Sequence, residues 1–174
     1  MFEILASKVK VIVTDVDGVL TDGYILIDEN GNEPFGKFSI YDGFGIVMAH
    51  ACGIKIIVIS GRQSKCTEVR CRKLGIDEVY TGVHNKSERL KEIANRLNLN
   101  FNEMAYIGDD LIDLGAMSLV GFKVAPQNAV QTIKDYVDYV TKAYSGDGAL
   151  RELVDLILKS QNLYDEYVKQ FFNL

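Results

Sequence analysis

Six aspartates stand in two short stretches of the chain, Asp15, Asp17 and Asp22 in "VTDVDGVLTDG" and Asp109, Asp110 and Asp113 in "YIGDDLID"; Asp22, at the entry to the segment that follows, reads as a turn residue. Each stretch directly follows an apolar run. If both runs are parallel strands of one sheet, their carboxyl ends share an edge and the acids converge. Two or three converging carboxylates suit a hard divalent cation such as Mg2+, which takes oxygen ligands and keeps several waters. The plainer reading is that Asp is common in turns and at helix caps, and it applies best to Asp113. Two further strand ends add donors. "VISGR" offers the Ser60 hydroxyl and, at Gly61, a backbone that a ligand can approach closely, an anion cradle. Lys86 opens a helical segment after "YTGVHN" and reaches toward the same edge. Alone, Ser60-Gly61 is a turn and Lys86 a surface charge. Together, a cation, a hydroxyl, backbone N–H groups and a lysine around one carboxylate are what phosphoryl chemistry requires.

The elements that must position these groups are legible as apolar runs. Residues 8–16, 54–60, 78–82, 104–110, 122–125 and 138–141 read as strands, several apolar on both faces, as central parallel strands are when helices cover both sides. Between them, Leu90, Ile93, Ala94 and Leu97 form one helical stripe within 86–98. Residues 64–75 start on Ser64, an N-cap candidate, and end on Gly75, a C′ glycine. The alternation predicts a single α/β domain over 1–174, with a Rossmann-like, mostly parallel sheet and helices on both faces. Residues 24–40 break the rhythm. They alternate, turn at "ENGN" and alternate again, which reads as a β-hairpin projecting from the sheet's carboxyl end. The tail from about 145 to 174 reads as helix over 150–172, with Leu150, Leu153, Val154, Ile157 and Leu158 apolar. Tyr164, Tyr167, Val168, Phe171 and Phe172 extend an aromatic face that must pack on the body or on a partner.

Composition narrows the function classes. A chain of 174 residues and 48% hydrophobic content supports one sizeable core. No apolar run reaches membrane-spanning length, and the N-terminus lacks the organisation of a signal peptide. Three cysteines, Cys52, Cys66 and Cys71, form no CxxC pair and read as idle thiols in a reducing cytoplasm. A net charge of −5, with no aromatics interleaved among basic residues, argues against nucleic-acid binding. His50 and His84 are left outside the chemistry.

Taken in order, "DVDGVLT", "ISGR", Lys86 and "GDDLID" match the four motifs of the haloacid dehalogenase superfamily of phosphatases, and the chain resembles that family. With "TDGYI", the "NGNE" hairpin, "KFSIYDGFGI", "RCRKLGI", "YTGVHNK" and "GALRE", the resemblance covers nearly the whole sequence. It is strongest to the subgroup without a large cap domain that acts on 3-deoxy-D-manno-octulosonate 8-phosphate (KDO 8-phosphate).

The resemblance implies a role for each matching residue. Asp15 is the nucleophile that forms an aspartyl-phosphate. Asp17 is the acid for the leaving alkoxide and then the base for water. Mg2+ is held by Asp15, the backbone carbonyl of Asp17, and Asp109. Ser60 and Gly61 bind phosphoryl oxygens, Lys86 neutralises charge, and Asp110 and Asp113 orient metal waters or Lys86. Because KDO 8-phosphate also carries a carboxylate, Arg62 and Arg70, placed on one helix, are candidates for a bidentate contact. The resemblance further implies a cytoplasmic homotetramer acting in lipopolysaccharide precursor synthesis, in which a neighbour's tail closes each site. Here "SGDGALRE" carries Ser145 and Asp147 where the family often has a glycine and a basic residue. Arg151 there reads equally as a helix-start residue paired with a nearby acid. A sialic-type nine-carbon sugar 9-phosphate is the alternative substrate. A receiver-like signalling module is the alternative of another class; an acid–base two residues after the nucleophile serves turnover and not a stable switch.

Overall fold

The structure is a computed structural model that describes residues 2–76 and 78–172; residues 173 and 174 of the expected tail lie outside the described residues. Six parallel strands form one sheet: β1 (Val11–Thr14), β2 (Lys55–Ile59), β3 (Glu78–Tyr80), β4 (Met104–Ile107), β5 (Phe122–Ala125) and β6 (Tyr139–Val140). Their order is β3-β2-β1-β4-β5-β6, every pair parallel. The six expected strands are all present, so the α/β expectation holds. β1 lies between β2 and β4, where the order reverses. Crossovers leave opposite faces there, opening a crevice at the carboxyl edge.

Alternation along β1 shows why both faces are apolar. Ile12 joins one buried cluster with Ile46, Leu150 and Leu153, whereas Val11 and Val13 join the other with Leu90, Ile93 and Tyr106. The first face is covered by α1 (Phe2–Ala6), α2 (Ile40–Ala51) and α7 (Ala149–Ser160). The second is covered by α4 (Lys86–Leu97), α5 (Leu114–Met117) and α6 (Gln131–Tyr136). The remaining helices are α3 (Lys65–Lys73) and α8 (Tyr164–Phe172). No helix of the described residues is long and apolar enough to cross a membrane.

Ser64 caps α3 by accepting from the Thr67 N–H, and Gly75 follows the helix at φ +71°, both as expected. Because α3 begins at Lys65, Arg62 sits in the bend before it, not on the helix with Arg70.

Two expectations need correction. The tail is two helices, not one. Asn162 adopts a left-handed φ of 60°, and Leu163 N–H returns to Leu158 C=O, so the chain turns between α7 and α8. Asn tolerates that conformation because its short side chain bonds locally. The segment 24–39 makes a single antiparallel bridge, Leu26 to Phe35, instead of a strand ladder. Its turn is firm: Asp28 accepts from the Asn30 and Asn32 N–H groups, with Gly31 at φ +80°. Its arms lie against no sheet, with Tyr24 81% and Phe35 71% exposed, and an isolated two-stranded ribbon has little apolar burial to zip it. Asp22 clasps its base, accepting from the Tyr24 N–H and pairing with Lys37 at 2.8 Å.

Candidate active site

Asp15 follows β1 immediately and is buried. Its Oδ1 accepts from the Val16 N–H at 2.7 Å and its Oδ2 meets Lys86 Nζ at 2.6 Å, which fixes the rotation of the carboxylate. Lys86 is the first residue of α4, after the Asn85 N-cap, and its side chain is 1% exposed, so the surface-charge reading is excluded. Its ammonium also meets Asp113 Oδ1 at 2.8 Å.

Asp113 is a hub. Oδ1 accepts from Lys86 and from the Tyr106 hydroxyl at 2.8 Å, and Oδ2 accepts from the Asp109 and Asp110 N–H groups at 3.1 and 3.4 Å. Asp110 N-caps the short turn Leu111–Asp113 through the Leu111 N–H and faces the cleft.

The cleft itself, about 230 Å³, is lined by Asp15, Asp17, Gly18, Gly23, Gly61, Arg62, Asp109, Asp110 and Ile112. Gly18 stands at φ +80°, and a Cβ there would lie 2.0 Å from Asp109 Oδ2, so glycine is required by backbone and by space. Thr21 Oγ1, within 3.4 Å of the Gly18 and Gly23 N–H groups and of Val16 C=O, ties this loop together. Among the described residues, no acceptor meets the N–H of Asp17 or of Gly61, and the Cβ position of Gly61 has only Val83 C=O nearby, at 3.8 Å. Two unpaired N–H groups facing one cleft make an anion cradle.

The electrostatics are those of a site short of positive charge. Burial and the Asp113 charge push Asp15 up, Lys86 opposing them. Asp109 is pushed up to about 7 by burial and then by Asp15, Asp113 and Asp110. Burial alone would lower Lys86, but the Asp15 and Asp113 charges outweigh it and raise its ammonium. Tyr106 lies well above its ordinary value, first through burial and then through the charges of Asp113 and Asp15, so it stays a donor.

Asp15, Asp109 and Asp113 each bring a carboxylate oxygen within 4.8 Å of the others. With all four donors already placed on Asp113, the oxygens left for a cation are those of Asp15 and Asp109; no hydrogen bond ties up the Asp109 carboxylate among the described residues. Hard oxygen donors, a surplus of buried negative charge and room for waters fit Mg2+.

Residues 72–153 match the haloacid dehalogenase-like hydrolase family. The 3-deoxy-D-manno-octulosonate 8-phosphate phosphatase KdsC of Escherichia coli (strain K12) is 40% identical over 161 residues, 92% of this chain and 85% of the relative. The chain belongs to the KDO 8-phosphate phosphatase family. Within that family, a Moraxella catarrhalis structure in complex with a magnesium ion, a phosphate ion and KDO superposes with a TM-score of 0.94. It is 35% identical and covers 98% of this chain and 97% of its own. A cobalt-bound Haemophilus influenzae structure of the enzyme gives a TM-score of 0.92 at 35% identity, covering 97% of this chain and 99% of its own.

Against the family's expected site, the structure brings together Asp15, Asp17, Gly61, Arg62, Lys86, Asp109, Asp110 and Asp113. Ser60 stands just behind, buried, its hydroxyl donating to Arg62 C=O and accepting from the Arg62 N–H. Arg70 is not brought to the cleft: its guanidinium donates to Ser39 C=O and packs on Gly43, under the start of α2. Arg151 pairs with Asp155 at 2.7 Å and lies over the Phe44 ring, as the helix-start reading held. Two participants were missed in the sequence. Tyr106 was readable in principle, since a tyrosine inside a buried strand needs a partner for its hydroxyl. Glu33, which meets Arg62, gave no local signal.

Proposed function

We propose that this chain is a Mg2+-dependent phosphomonoesterase that converts KDO 8-phosphate to KDO and phosphate through an aspartyl-phosphate on Asp15. The observation that carries the reading is the Asp15 carboxylate held by Lys86 beside Asp109 and two unpaired backbone N–H groups, in a chain 40% identical to KdsC. We infer that all 174 residues form one phosphatase domain acting in the cytoplasm, in lipopolysaccharide precursor synthesis.

The phosphate enters the cleft with its oxygens on the Asp17 and Gly61 N–H groups, and Ser60 supports the turn that presents Gly61. Asp15 and Asp109, with the Asp17 carbonyl, would hold Mg2+, which when bound offsets repulsion between Asp15 and the phosphate. An Asp15 oxygen attacks phosphorus; the O–P bond to Asp15 forms as the bond to the sugar oxygen breaks. Asp17 gives that oxygen its proton, so KDO leaves as an alcohol. The Asp17 carboxylate next takes a proton from water, whose oxygen attacks phosphorus and frees Asp15. Lys86 favours the anionic form of Asp15 and orients it, and Asp113 keeps Lys86 in place. Arg62 has five N–H donors, of which two are engaged here, leaving the rest for the substrate carboxylate.

The exposed apolar side chains of the 24–39 segment, with Tyr24, Ile27 and Phe35 foremost, support its completion as a hairpin against other copies in a homotetramer. Exposed Phe171 and Phe172 on α8 support a tail that reaches a neighbour. The test is phosphate release from KDO 8-phosphate and from a nine-carbon sialic-type 9-phosphate, with Mg2+ and with chelator. Faster, chelator-sensitive release from KDO 8-phosphate is expected; preference for the nine-carbon sugar would reassign the substrate.

A further inference from the structure

Arg62 leaves the bend after β2 and is pinned at both terminal nitrogens. Nη1 meets Asp17 Oδ1 at 3.2 Å, and Nη2 meets Glu33 Oε2 at 2.5 Å. Glu33 and Asp17 hold the guanidinium from two sides, so Glu33 helps fix where it sits and the guanidinium restrains Asp17. Glu33 is itself placed by two local devices, the Asp28–Asn32 turn that precedes it and the Asp22–Lys37 clasp beyond it. All three side chains of the bridge are about one-third exposed or more. Its energy is therefore modest, and its value is positional.

We propose that Glu33 is a positioning residue for the reaction, acting through Arg62 to hold the Asp17 carboxyl where it protonates the leaving oxygen. The 24–39 segment is then part of the catalytic machinery as well as a surface for assembly. Without Glu33, the guanidinium is held by one long contact and swings away, and Asp17 samples rotamers that point off the cleft. The cost falls on steps that need the proton. A leaving group that departs readily without one is spared. This inference rests on Asp17 being the acid, and not on which sugar phosphate is the substrate.

The experiment follows kcat/KM across aryl phosphates of rising leaving-group basicity, from dinitrophenyl through nitrophenyl to phenyl phosphate, at saturating Mg2+. These esters carry no carboxylate, so a lost sugar contact cannot move the result. For Glu33→Gln we expect little change with dinitrophenyl phosphate and a loss of about two- to fivefold with phenyl phosphate, a steeper dependence on leaving-group basicity. Arg62→Lys, whose point charge cannot span both acids, should steepen it similarly. Adding Glu33→Gln to Arg62→Lys should then add nothing. Asp17→Asn is the reference and should be steepest. A Glu33→Gln slope equal to that of the native enzyme, with Asp17→Asn steep, overturns the proposal. An Asp17→Asn slope equal to the native one removes the acid assignment, and the proposal with it.

Discussion

Two ion-pair networks meet Asp15 and Asp17 from opposite sides, and they are built differently. On one side Lys86, Asp15 and Asp113 have side chains 1%, 4% and 0% exposed, with Tyr106 closing the network beneath them. On the other, Arg62, Asp17 and Glu33 are 34%, 34% and 40% exposed. Burial makes the first network stiff and costly to break, because a partner removed there leaves an uncompensated charge. Water weakens the second and lets it exchange partners. Asp15, the proposed nucleophile, is held rigidly, whereas Asp17, the proposed acid, is held where solvent and an incoming substrate compete for it.

Breaking the buried side should have the largest effect. Lys86→Met leaves Asp15 and Asp113 unpaired, and we expect about 3–5 kcal/mol lower stability in the metal-free protein by denaturant melts. Turnover should fall at least about 10²-fold in the same variant, since Asp15, the proposed nucleophile, loses its orientation.

Removing the metal sharpens the comparison through pH. Burial and the neighbouring carboxylates let Asp109 hold its proton up to about pH 7 when folded, against about 3.9 for an ordinary aspartate. The folded state therefore binds more protons than the unfolded chain between roughly pH 4 and 7, and metal-free stability falls as pH rises through that window. Mg2+ competes with those protons and binds the ionised form. Saturating Mg2+ should raise Tm by about 5 °C more at pH 8 than at pH 5. An equal shift at both pH values would detach the metal from these carboxylates.

A smaller effect is expected from Tyr106→Phe, which removes one of four donors on Asp113. Stability should drop by about 1–2 kcal/mol, with kcat reduced and KM nearly unchanged. At the exposed side, Phe35→Asp should lower the particle mass in light scattering, because the 24–39 segment forms the proposed assembly surface. Nitrophenyl phosphate turnover per chain should fall by no more than about fivefold, the range expected for Glu33→Gln. Loss of that turnover on dispersal would show that the chemistry needs a neighbour.

The same contrast explains what could be read from the sequence. The central strands were legible because β-branched, two-sided apolar runs have few other places to fold, and the short edge strands β3 and β6 by their place in the alternation. Asp15, Asp109 and Lys86 were legible because strand ends and a helix start specify an edge. Asp113 was recognised as supporting the site, but its four donors come from β4, the following turn and α4, an arrangement no spacing encodes. Arg70 shared type and neighbourhood with Arg62, although a surface charge read at least as well for it. The bend before α3 separates them, sending one guanidinium to Asp17 and the other to Ser39. The Arg62–Glu33 pair joins residues 29 apart across a segment without regular pairing, where sequence periodicity carries no information. The hairpin pattern is genuine in the residues, yet its ladder is nearly absent because the surface that would bury Phe35 and Leu26 is not supplied by this chain among the described residues.

The account stands or falls on Asp15 as the metal-assisted nucleophile. Phosphate release from KDO 8-phosphate, measured for the native protein and Asp15→Asn with Mg2+ and with chelator, tests it most directly. We predict rapid release by the native protein with Mg2+ alone, and loss by at least about 10³-fold both in Asp15→Asn and on chelation. Native-like release by Asp15→Asn would contradict the account.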